Sequence, residues 1–459
     1  MYLISRDIQR RMDAYFVDKG YPIPLLMEMA GLAVFDVLKE TFPDRRPVAL
    51  FAGSGNNGGD VLVLARHLSA AAWPFTLYCK QDDYNSEPIE SISELTFDDP
   101  LPLQHHLLRS AGIYPKPFSA YEPKSNEIIV DGILGSGFDG ERGLNQALTD
   151  LFNTFKEAQS QGSVVVSVDV PSGLDAERGI PDPAAVMADY TVSLEGSHAA
   201  LFSSPGCEHA GKVLLRPLEV PYPLIESFWT EEYEQDETLV FSMDESWFKT
   251  LDTIPKESAH KGSQGRVVLI AGSERYPGAA ILAAEAAQQA GAGYVELVAP
   301  KAVCHLALEH RPELIIHDRA KATAEDLDLG RDNTAVILGP GMADLSELQL
   351  WYEKCISQSP RLVLDAGVFD LLARMKRDKN TEESADPANN PWLEQRPETF
   401  PEPILTPHPG EFRRLFGDLG PRMEAVQKAA NCSQCTVLLK GSRTLICSAK
   451  QKRLEVNLS

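Results

Sequence analysis

Three stretches of this sequence place oxygen-rich side chains directly after an apolar run that has the character of a β-strand. "LFAG" leads into the Asn-Asn-Gly-Gly-Asp segment of residues 56–60, "IIV" is followed by Asp131, and "VVVSV" is followed by Asp169. In an open parallel sheet, ligands bind outside the carboxyl ends of the strands, so these residues are expected to share one edge. Acidic groups collected there require a cation, hydrogen-bond donors or a proton to balance them. The pattern therefore predicts a functional site rather than three ordinary turns.

The first stretch also has the glycine spacing of a dinucleotide-binding loop. Residues 53–58 spell G-x-G-x-x-G, and Gly58 and Gly59 would let backbone N–H groups approach an anion at the next helix N-terminus. A dehydrogenase would also need an acidic residue about twenty positions further on, and Asp82 and Asp83 meet that requirement. The two asparagines add bulk where a pyrophosphate would have to lie, which argues against this interpretation. The spacing alone leaves a hydride-transferring enzyme as an alternative.

The elements that must position these residues follow one rhythm in both halves of the chain. Short apolar runs alternate with glycine-rich turns and helical patterns, and helices are predicted over 60–71 and 278–291. Because the runs are continuously apolar, they indicate parallel sheets covered by helices on both faces. The predicted strands span 47–53, 127–132 and 163–170 in the first half, and 266–273, 294–300, 335–341, 361–367, 403–409 and 436–441 in the second.

Composition restricts the class of protein. The 459 residues are 43% apolar, and 43 Lys and Arg stand against 66 Asp and Glu, a net charge of -23. Such acidity opposes binding to nucleic acid or anionic lipid and favours a small-molecule enzyme. No signal peptide and no membrane-spanning run are expected, and seven scattered cysteines indicate the reducing cytoplasm. The C-x-x-C of Cys432 and Cys435 has no second pair beside it, so no metal or redox role is assigned to it.

A proline-bearing and then acidic stretch near the middle predicts a domain boundary. We divide the chain into a first domain over residues 1–222, a linker over 223–242 and a second domain over 243–459. The charged, proline-rich residues 376–403 are predicted to be an exposed, mobile insertion in the second domain.

The first half resembles the NAD(P)H-hydrate epimerase domain. The motifs are "GNNGGD", "VDGILGSG" and "VDVPSGLD", with "LMEMAG" at residues 26–31, and the resemblance extends to about residue 220. It implies a Rossmann-like three-layer α/β/α domain that interconverts the R and S epimers of hydrated NADH or NADPH (NADHX and NADPHX). A carboxylate beside the carbinol carbon can act as the acid and base that let the hydroxyl leave and return on the other face.

The resemblance also implies roles for individual residues. Asp169 would face the damaged ring as the catalytic residue, and Asn57, Asp131 and Ser172 would hold a potassium ion. Their oxygen atoms suit a hard cation, although the residues alone do not specify which one. The implied substrate contacts are Asn56, Asn57, Gly58, Gly59, Asp60, Gly135, Ser136, Gly137, Phe138, Asp139, Gly140 and Glu141.

Two positions depart from the epimerase pattern. Val61 replaces a glycine after Asp60 and is expected to tighten or tilt the start of the helix. His198, in "GSHAA", replaces a lysine, and an imidazole does not fully replace a permanent ammonium group. We expect weaker ligand affinity as a result.

The second half resembles the ADP-dependent NAD(P)H-hydrate dehydratase domain, which has a ribokinase-like fold. The matching fragments include "HKGSQGRVVLIAGS" at 260–273, "TPHPGE" at 406–411 and "KGSRT" at 440–444. The resemblance implies that ADP drives loss of the hydroxyl from the S epimer, with Mg2+ as a further expected cofactor. Implied hydrate contacts are Ala279, Gly341 and His408, and implied ADP contacts are Lys440, Gly441, Ser442, Arg443 and Thr444.

One motif of the dehydratase pattern is missing from the sequence. The family has a Gly-x-Gly-Asp turn whose helix N-terminus stabilises phosphate and whose aspartate acts as general base, and no such motif occurs here. The usual "DAD" also reads "DAG" at 365–367. We therefore expect a dehydratase domain truncated at its C-terminus and without turnover in residues 1–459.

Together these features predict a cytoplasmic, homo-oligomeric cofactor-repair enzyme with NADHX or NADPHX and ADP as its small-molecule partners and with no nucleic-acid or membrane partner. Two alternatives stay open at this point: a ribokinase-like small-molecule kinase, and a non-catalytic nucleotide-binding scaffold. Exchange of epimers by the protein would separate the predicted enzyme from the scaffold.

Overall fold

The computed structural model describes residues 2–80, 100–235, 240–243, 260–379, 392–441, 443–450 and 454–457. The chain divides into two compact units, Met1–Ser242 and Met243–Ser459. The predicted linker over 223–242 stays a prediction, and a helix occupies Tyr222–Gln235 within it.

The first unit is built on a parallel sheet with strand order β4-β3-β2-β5-β6-β7-β9. Within this sheet the chain runs from β2 through β3 to β4 at one edge. It then continues from β5, which lies on the other side of β2, so the direction of strand order reverses between β2 and β5. A reversal of this kind opens a crevice at the carboxyl ends of the two strands. The strands up to residue 243, of which β1, β8 and β10 lie outside this seven-stranded sheet, have the following bounds. They are β1 Tyr2–Ile4, β2 Val48–Ala52, β3 Phe75–Cys79, β4 Lys116–Pro117, β5 Ile128–Gly132, β6 Val164–Val168, β7 Tyr190–Leu194, β8 Ser197–His198, β9 Lys212–Arg216 and β10 Val240–Met243.

Helices cover both faces of this sheet. Leu50 of β2 packs in one core with Val34 and Leu64, whereas its neighbour Phe51 packs on the opposite face with Phe152 and Phe155. The predicted Rossmann-like three-layer class is confirmed. The helices are α1 Arg6–Asp18, α2 Ile23–Thr41, α3 Asn56–Ala70, α4 Pro100–Ser110, α5 Gln146–Ser160, α6 Gly206–Ala210 and α7 Tyr222–Gln235, with 3-10 turns at Phe118–Ala120 and Ala199–Phe202.

The second unit has a second doubly wound sheet, with the order β13-β12-β11-β14-β15-β16-β17 in parallel and β18 and β19 added antiparallel. The α/β class predicted as ribokinase-like is confirmed. The strands are β11 Arg266–Ile270, β12 Tyr294–Ala299, β13 Ile315–Asp318, β14 Thr334–Leu338, β15 Arg361–Leu364, β16 Ile404–Leu405, β17 Thr436–Leu439, β18 Leu445–Cys447 and β19 Leu454–Asn457. The helices are α8 Pro277–Gln289, α9 Lys301–His310, α10 Ala324–Leu327, α11 Leu345–Gln358, α12 Gly367–Lys379, α13 Pro409–Phe416 and α14 Arg422–Ser433, with a 3-10 turn at Lys261–Gln264.

The interpretation of residues 376–403 as an exposed insertion holds for only part of its described ends, where Lys376, Arg377, Glu394 and Glu398 are exposed. Residues 376–379 complete helix α12, and Trp392 is buried with its carbonyl accepting a hydrogen bond from Tyr352. Arg396 donates to the carbonyls of Ser359 and Pro360. Composition signalled exposure, but one tryptophan and one arginine attach the segment to the unit; residues 380–391 lie outside the described residues.

No single helix among the described residues is both long and apolar enough to cross a membrane. The pair Arg6–Asp18 and Ile23–Thr41 meets the length and composition criteria jointly, with a bend of 118° between them.

Candidate active site

The carboxyl ends of β2, β5 and β6 lie side by side, as the parallel register requires. Phe51 of β2 is opposite Asp131 of β5, which in turn is opposite Ser167 of β6. The segments that follow these strands therefore meet at one edge. The structure brings Asn57, Asp131 and Asp169 to this edge, as the sequence predicted.

The Asn-Asn-Gly-Gly-Asp segment forms the first turn of helix α3. The helix begins at Asn56, four residues before the start that the sequence predicted. The backbone N–H of Gly59 already donates to the Gly55 carbonyl, so it is not available to a ligand. A Cβ on Gly58 would lie 1.9 Å from the carbonyl oxygen of Gly53. The glycines of the G-x-G-x-x-G spacing thus serve a tight turn from strand to helix.

An oxygen-rich cluster forms around Asp131, which is fully buried. Its Oδ1 accepts from Ser172 Oγ at 2.5 Å, and its Oδ2 accepts from the Ser172 backbone N–H and from Ser167 Oγ, both at 2.9 Å. Asn57 Nδ2 donates to the Leu134 carbonyl at 3.0 Å, and that carbonyl lies 3.2 Å from Ser172 Oγ. The three residues predicted as cation ligands are therefore joined through shared neighbours.

Asn57 Oδ1 is the atom that points to a ligand in this cluster. It is buried and has no hydrogen-bond partner in the part of the chain that the structure describes. An amide oxygen left in this state carries a desolvation cost that a cation would remove. The donor set is made of carboxylate, amide, hydroxyl and carbonyl oxygens, which fits a hard monovalent cation.

Asp169 follows β6 in a left-handed backbone conformation, with φ of 60°. Its side chain is buried, and within the described ranges its Oδ1 has no hydrogen-bond partner. Its Oδ2 accepts from Gln9 Nε2 at 3.2 Å and lies 3.8 Å from His198 Nε2. Non-glycine residues rarely adopt positive φ, and such strain is concentrated at functional sites.

Gln9 and Arg6 are site residues that the sequence reasoning missed. Gln9 Oε1 accepts from Ser136 Oγ at 2.6 Å and lies 3.2 Å from His198 Nε2, so one amide connects Ser136, His198 and Asp169. Arg6 donates to the carbonyls of Ser136 at 2.6 Å and Phe138 at 2.7 Å. The available signal was the spacing of polar residues in "RDIQRRMD", which places positions 6, 9 and 13 on one helix face.

These residues surround a cavity of about 330 Å³. Of the predicted substrate loop, residues 135–137 line it, whereas Phe138 is buried and Glu141 pairs with Arg178. The lining consists of Arg6, Gln9, Arg10, Met12, Asp13, Ile23, Leu26, Met27, Ala30, Gly55, Asn56, Asn57, Asp60, Ile133, Gly135, Ser136, Gly137, Asp169, Leu194, Glu195 and Leu218.

Acidic side chains face one another across this cavity. Burial and the charge of Asp169 raise the pKa of Asp13 to about 6. Burial, together with Asp169 and Asp13, raises the pKa of Asp60 well above its usual range. The pKa of Asp131 is also raised by burial, against the lowering effect of its hydrogen bonds from Ser172 and Ser167. Asp13, Asp60 and Asp131 therefore take up protons at a higher pH than exposed carboxylates do.

The two departures from the epimerase pattern have structural consequences. Val61 is fully buried, and a Cβ placed on Gly132 would meet its Cγ2 at 2.3 Å, so Val61 packs directly on the end of β5. Helix α3 continues through Val61 without a break. His198 is fully buried, lies beside Gln9 and Asp169, and is not among the residues that line the cavity.

The second unit also collects its predicted residues at the carboxyl ends of its parallel strands. Lys440, after β17, extends Nζ to Asp365 Oδ1 at 2.7 Å, and Thr406 Oγ1 donates to the same oxygen at 2.7 Å. A Cβ on Gly341 would lie 2.7 Å from the Cβ of Ala279, so these two predicted hydrate contacts are adjacent. The sequence reasoning did not anticipate that Asp365 holds Lys440.

His408 has a structural role. It is the N-cap of helix α13, where its Nδ1 accepts from the backbone N–H groups of Gly410 at 3.0 Å and Glu411 at 3.3 Å. Its Nε2 lies 3.3 Å from Glu411 Oε1. Its role as a hydrate ligand stays a prediction. Ser442, and Asp82 and Asp83 of the dehydrogenase alternative, lie outside the described residues.

Comparison with known proteins gives matches to both units. Residues 25–199 match the family model "YjeF-related protein N-terminus", and residues 267–458 match "NAD(P)H-hydrate dehydratase". The chain is 31% identical over 450 residues to the bifunctional NAD(P)H-hydrate repair enzyme Nnr of Thermosynechococcus vestitus, covering 94% of this chain and 79% of that protein. It is 30% identical over 466 residues to the enzyme of the same name from Archaeoglobus fulgidus, covering 100% of this chain and 84% of that protein.

Among solved structures, the chain is similar to the ADP/ATP-dependent NAD(P)H-hydrate dehydratase of Bacillus subtilis co-crystallised with ATP and Mg2+. The identity is 26% and the TM-score 0.39, with coverage of 48% of this chain and 73% of the other.

Proposed function

The chain belongs to the family of bifunctional NAD(P)H-hydrate repair enzymes, which join an epimerase to a dehydratase, and from this premise we propose that its first unit exchanges the epimers of hydrated NADH or NADPH at Asp169. The observation that carries this proposal is the Asp169 carboxylate, which is buried at a strand end with Oδ1 unpartnered among the described residues. A dry, partly unsatisfied carboxylate beside a cavity is suited to proton transfer.

Exchange of the epimers requires the protein to transfer protons and to position the substrate. The hydroxyl group leaves the carbinol carbon as water once it has received a proton, and water returns to the other face while losing one. Asp169 would accept or supply that proton. Gln9 holds the Asp169 carboxylate by a hydrogen bond and is itself held by Ser136.

Potassium fits the cluster around Asp131. Asn57, Asp131 and Ser172 would hold the ion, with the unpartnered Asn57 Oδ1 as the atom that gains most. Bound there, potassium would supply positive charge beside an acidic site. The residues of the site orient the substrate: residues 135–137, Asn56 and Asp60 line the cavity. Burial and two acidic neighbours raise the pKa of Asp60, which favours the protonated form that donates a hydrogen bond.

For the second unit we propose ADP-dependent dehydration of the S epimer. The supporting features are the adjacency of Gly341 and Ala279 and the position of Lys440 at the end of β17. Lys440, Gly441, Arg443 and Thr444 would contact ADP, and Mg2+ would accompany the phosphates. The loss of turnover expected from the sequence is the competing outcome of the test given below, and the cytoplasmic location and the homo-oligomeric state stay predictions.

The epimerase proposal is tested by following a purified single epimer of NADH hydrate as it approaches equilibrium. The rate of spontaneous exchange, measured in the absence of protein, is subtracted. We expect Asp169→Asn to slow the exchange at least about 100-fold, because the amide cannot transfer the proton. Asp150→Asn is the matched control, since Asp150 is an exposed carboxylate of helix α5 that bonds only Gln146 in the described structure. Absence of exchange by the unmodified protein would instead support the scaffold alternative.

The dehydratase proposal is tested by adding ADP to the S epimer and measuring the absorbance of restored NADH. Turnover that requires ADP supports the proposal and contradicts the expected loss of activity. If turnover is absent, binding of ADP by calorimetry, compared between the unmodified protein and Lys440→Ala, decides whether the nucleotide site is present.

A further inference from the structure

The first helix contributes one polar face to the cavity. Arg6, Gln9 and Asp13 are spaced by three and four residues, so their side chains lie on one side of helix α1, and all of them line the cavity. Arg6 contacts the loop of residues 135–137 through the Ser136 carbonyl, and Gln9 contacts Asp169. This helix precedes residue 25, where the match to the first family model begins.

We propose that Asp13 is a second catalytic residue of the first unit, acting as the acid–base partner of Asp169. This inference rests on the proposed epimerase function. The hydroxyl leaves as water from one face of the ring, and water returns to the other face. Two carboxyl groups can each serve one face, whereas a single group would have to reach both faces in turn.

The step balances with two carboxyl groups. In one direction Asp13 gives its proton to the hydroxyl oxygen, the C–O bond breaks with its electron pair on oxygen, and water departs from a cationic ring. Water then forms a C–O bond on the other face and loses a proton to Asp169. The reverse reaction exchanges the two roles, and proton exchange with solvent restores the starting state.

The charges around Asp13 favour this division. From other elements, the acidic groups Asp60, Asp169 and Glu195 face the cavity, and from its own helix Arg6 and Arg10 do so. Arg6 is engaged with backbone carbonyls. Burial and the charge of Asp169 raise the pKa of Asp13 to about 6. A pKa near the operating pH lets a carboxyl group both give and accept a proton during catalysis.

Asp60 is less suited to the same role. It lies in the first turn of α3, and burial with two acidic neighbours raises its pKa well above the usual range. A pKa raised in this way favours the protonated form, which suits a hydrogen-bond donor better than a group that gains and loses a proton in each cycle. Asp169 supplies the independent sign of a ligand, since its buried Oδ1 has no partner in the described residues.

The test uses the full chain and single epimers of NADH hydrate. Asp13→Asn is expected to lower kcat for epimer exchange about 100-fold while KM changes less than about threefold, because shape and hydrogen bonding are kept. Asp13→Glu is expected to recover part of kcat. The control Asp18→Asn removes an exposed carboxylate from the end of the same helix and should leave kcat unchanged.

The pH profile separates catalysis from structure. Because the acid must be protonated, the unmodified rate should fall as the pH rises through about 6, and this alkaline limb should disappear in Asp13→Asn. At neutral pH the melting temperature of Asp13→Asn should be no lower than that of the unmodified protein. Because the pKa of Asp13 is higher in the folded than in the unfolded chain, ionised Asp13 destabilises the fold. The substitution removes this effect.

Outcomes against the inference are distinct from failure of the proposed function. If the unmodified protein exchanges epimers and Asp13→Asn does so at the same kcat with the same pH profile, Asp13 is not catalytic. A raised KM with unchanged kcat would make it a binding residue and would also overturn the inference. If the unmodified protein exchanges no epimers, the proposed function itself fails.

Discussion

At the scale of single residues, the site depends on polar atoms that the fold leaves unsatisfied. Asn57 Oδ1 and Asp169 Oδ1 are both buried without a hydrogen-bond partner in the described residues. Each such atom costs about 1–3 kcal/mol of folding free energy, which a bound ligand can return as affinity. The neighbours of these atoms, Ser172 and Gln9, are by contrast fully engaged. The atoms that would contact the ligands are therefore among the unsatisfied ones, together with the neighbouring Nδ1 of His198.

This contrast leads to a prediction about potassium. The melting temperature of the unmodified protein should rise in KCl relative to choline chloride at equal ionic strength, because a ligand at about a hundred times its Kd adds about 2.7 kcal/mol. Asn57→Ala should lose this response, whereas Asn56→Ala, which changes the exposed neighbour in the same turn, should keep it. An equal response in both variants would place the ion elsewhere.

At the scale of elements, the turn from β2 into α3 determines where the first asparagines lie. A Cβ on Gly58 would lie 1.9 Å from the Gly53 carbonyl oxygen, and a Cβ on Gly53 would lie 1.9 Å from the Ile133 carbonyl oxygen. Gly59 packs against Met27 of α2. The helix consequently starts at Asn56 directly above the strand end. Only residues 53–55 separate β2 from α3. This short turn places Asn57 where its Nδ2 donates to the Leu134 carbonyl after β5.

Gly58→Ala should therefore destabilise the first unit by about 2–3 kcal/mol, since a Cβ 1.9 Å from the Gly53 carbonyl oxygen forces the strand and helix apart. Calorimetry would show this as a lower melting temperature for one transition. Gly137→Ala is the matched control in the same site: a Cβ there meets no atom within 4 Å, and the change should stay within about 0.5 kcal/mol. Equal effects would show that the contact at Gly58 is relieved at little cost.

At the scale of the whole molecule, a net charge of -23 accompanies a first-unit cavity that is itself acidic. Like charges repel more strongly in a compact state than in an extended chain. Burial and mutual charge raise the pKa values of Asp13 and Asp60, so protonation of these groups relieves part of the repulsion as the pH falls. Charges on the rest of the described surface are moderated by ion pairs and solvent screening.

Screening should for that reason stabilise the protein. Raising NaCl from about 20 mM to about 300 mM shortens the Debye length severalfold, and the melting temperature should increase by several degrees. An uncharged osmolyte at the same osmolality is the control for preferential exclusion. A melting temperature that stays constant or falls with NaCl would show that favourable ion pairs outweigh the general repulsion.

Local patterns in the sequence were sufficient for the elements and for part of the site. Continuous apolar runs predicted the parallel strands β2, β5, β6, β11, β12 and β14–β17, because a strand buried on both faces has no polar positions. The parallel strands β3, β4, β7, β9 and β13 were not predicted. Asp131 and Asp169 were located because parallel strands end at a common edge. The motifs also indicated the family, since the order of "GNNGGD", "VDGILGSG" and "VDVPSGLD" is a local property of the chain.

Only the tertiary structure decided which distant residues complete the site and what state they are in. Arg6, Gln9 and Asp13 reach residues more than a hundred positions away, and no periodicity in "RDIQRRMD" specifies that partner. The raised pKa values of Asp13 and Asp60 arise from burial and mutual charge, which exist only in the folded chain. The sequence by itself determined the strand ends and the chemical groups they present; the packing of helix α1 over them decided which groups share a cavity, because contact across it depends on the fold rather than on spacing along the chain.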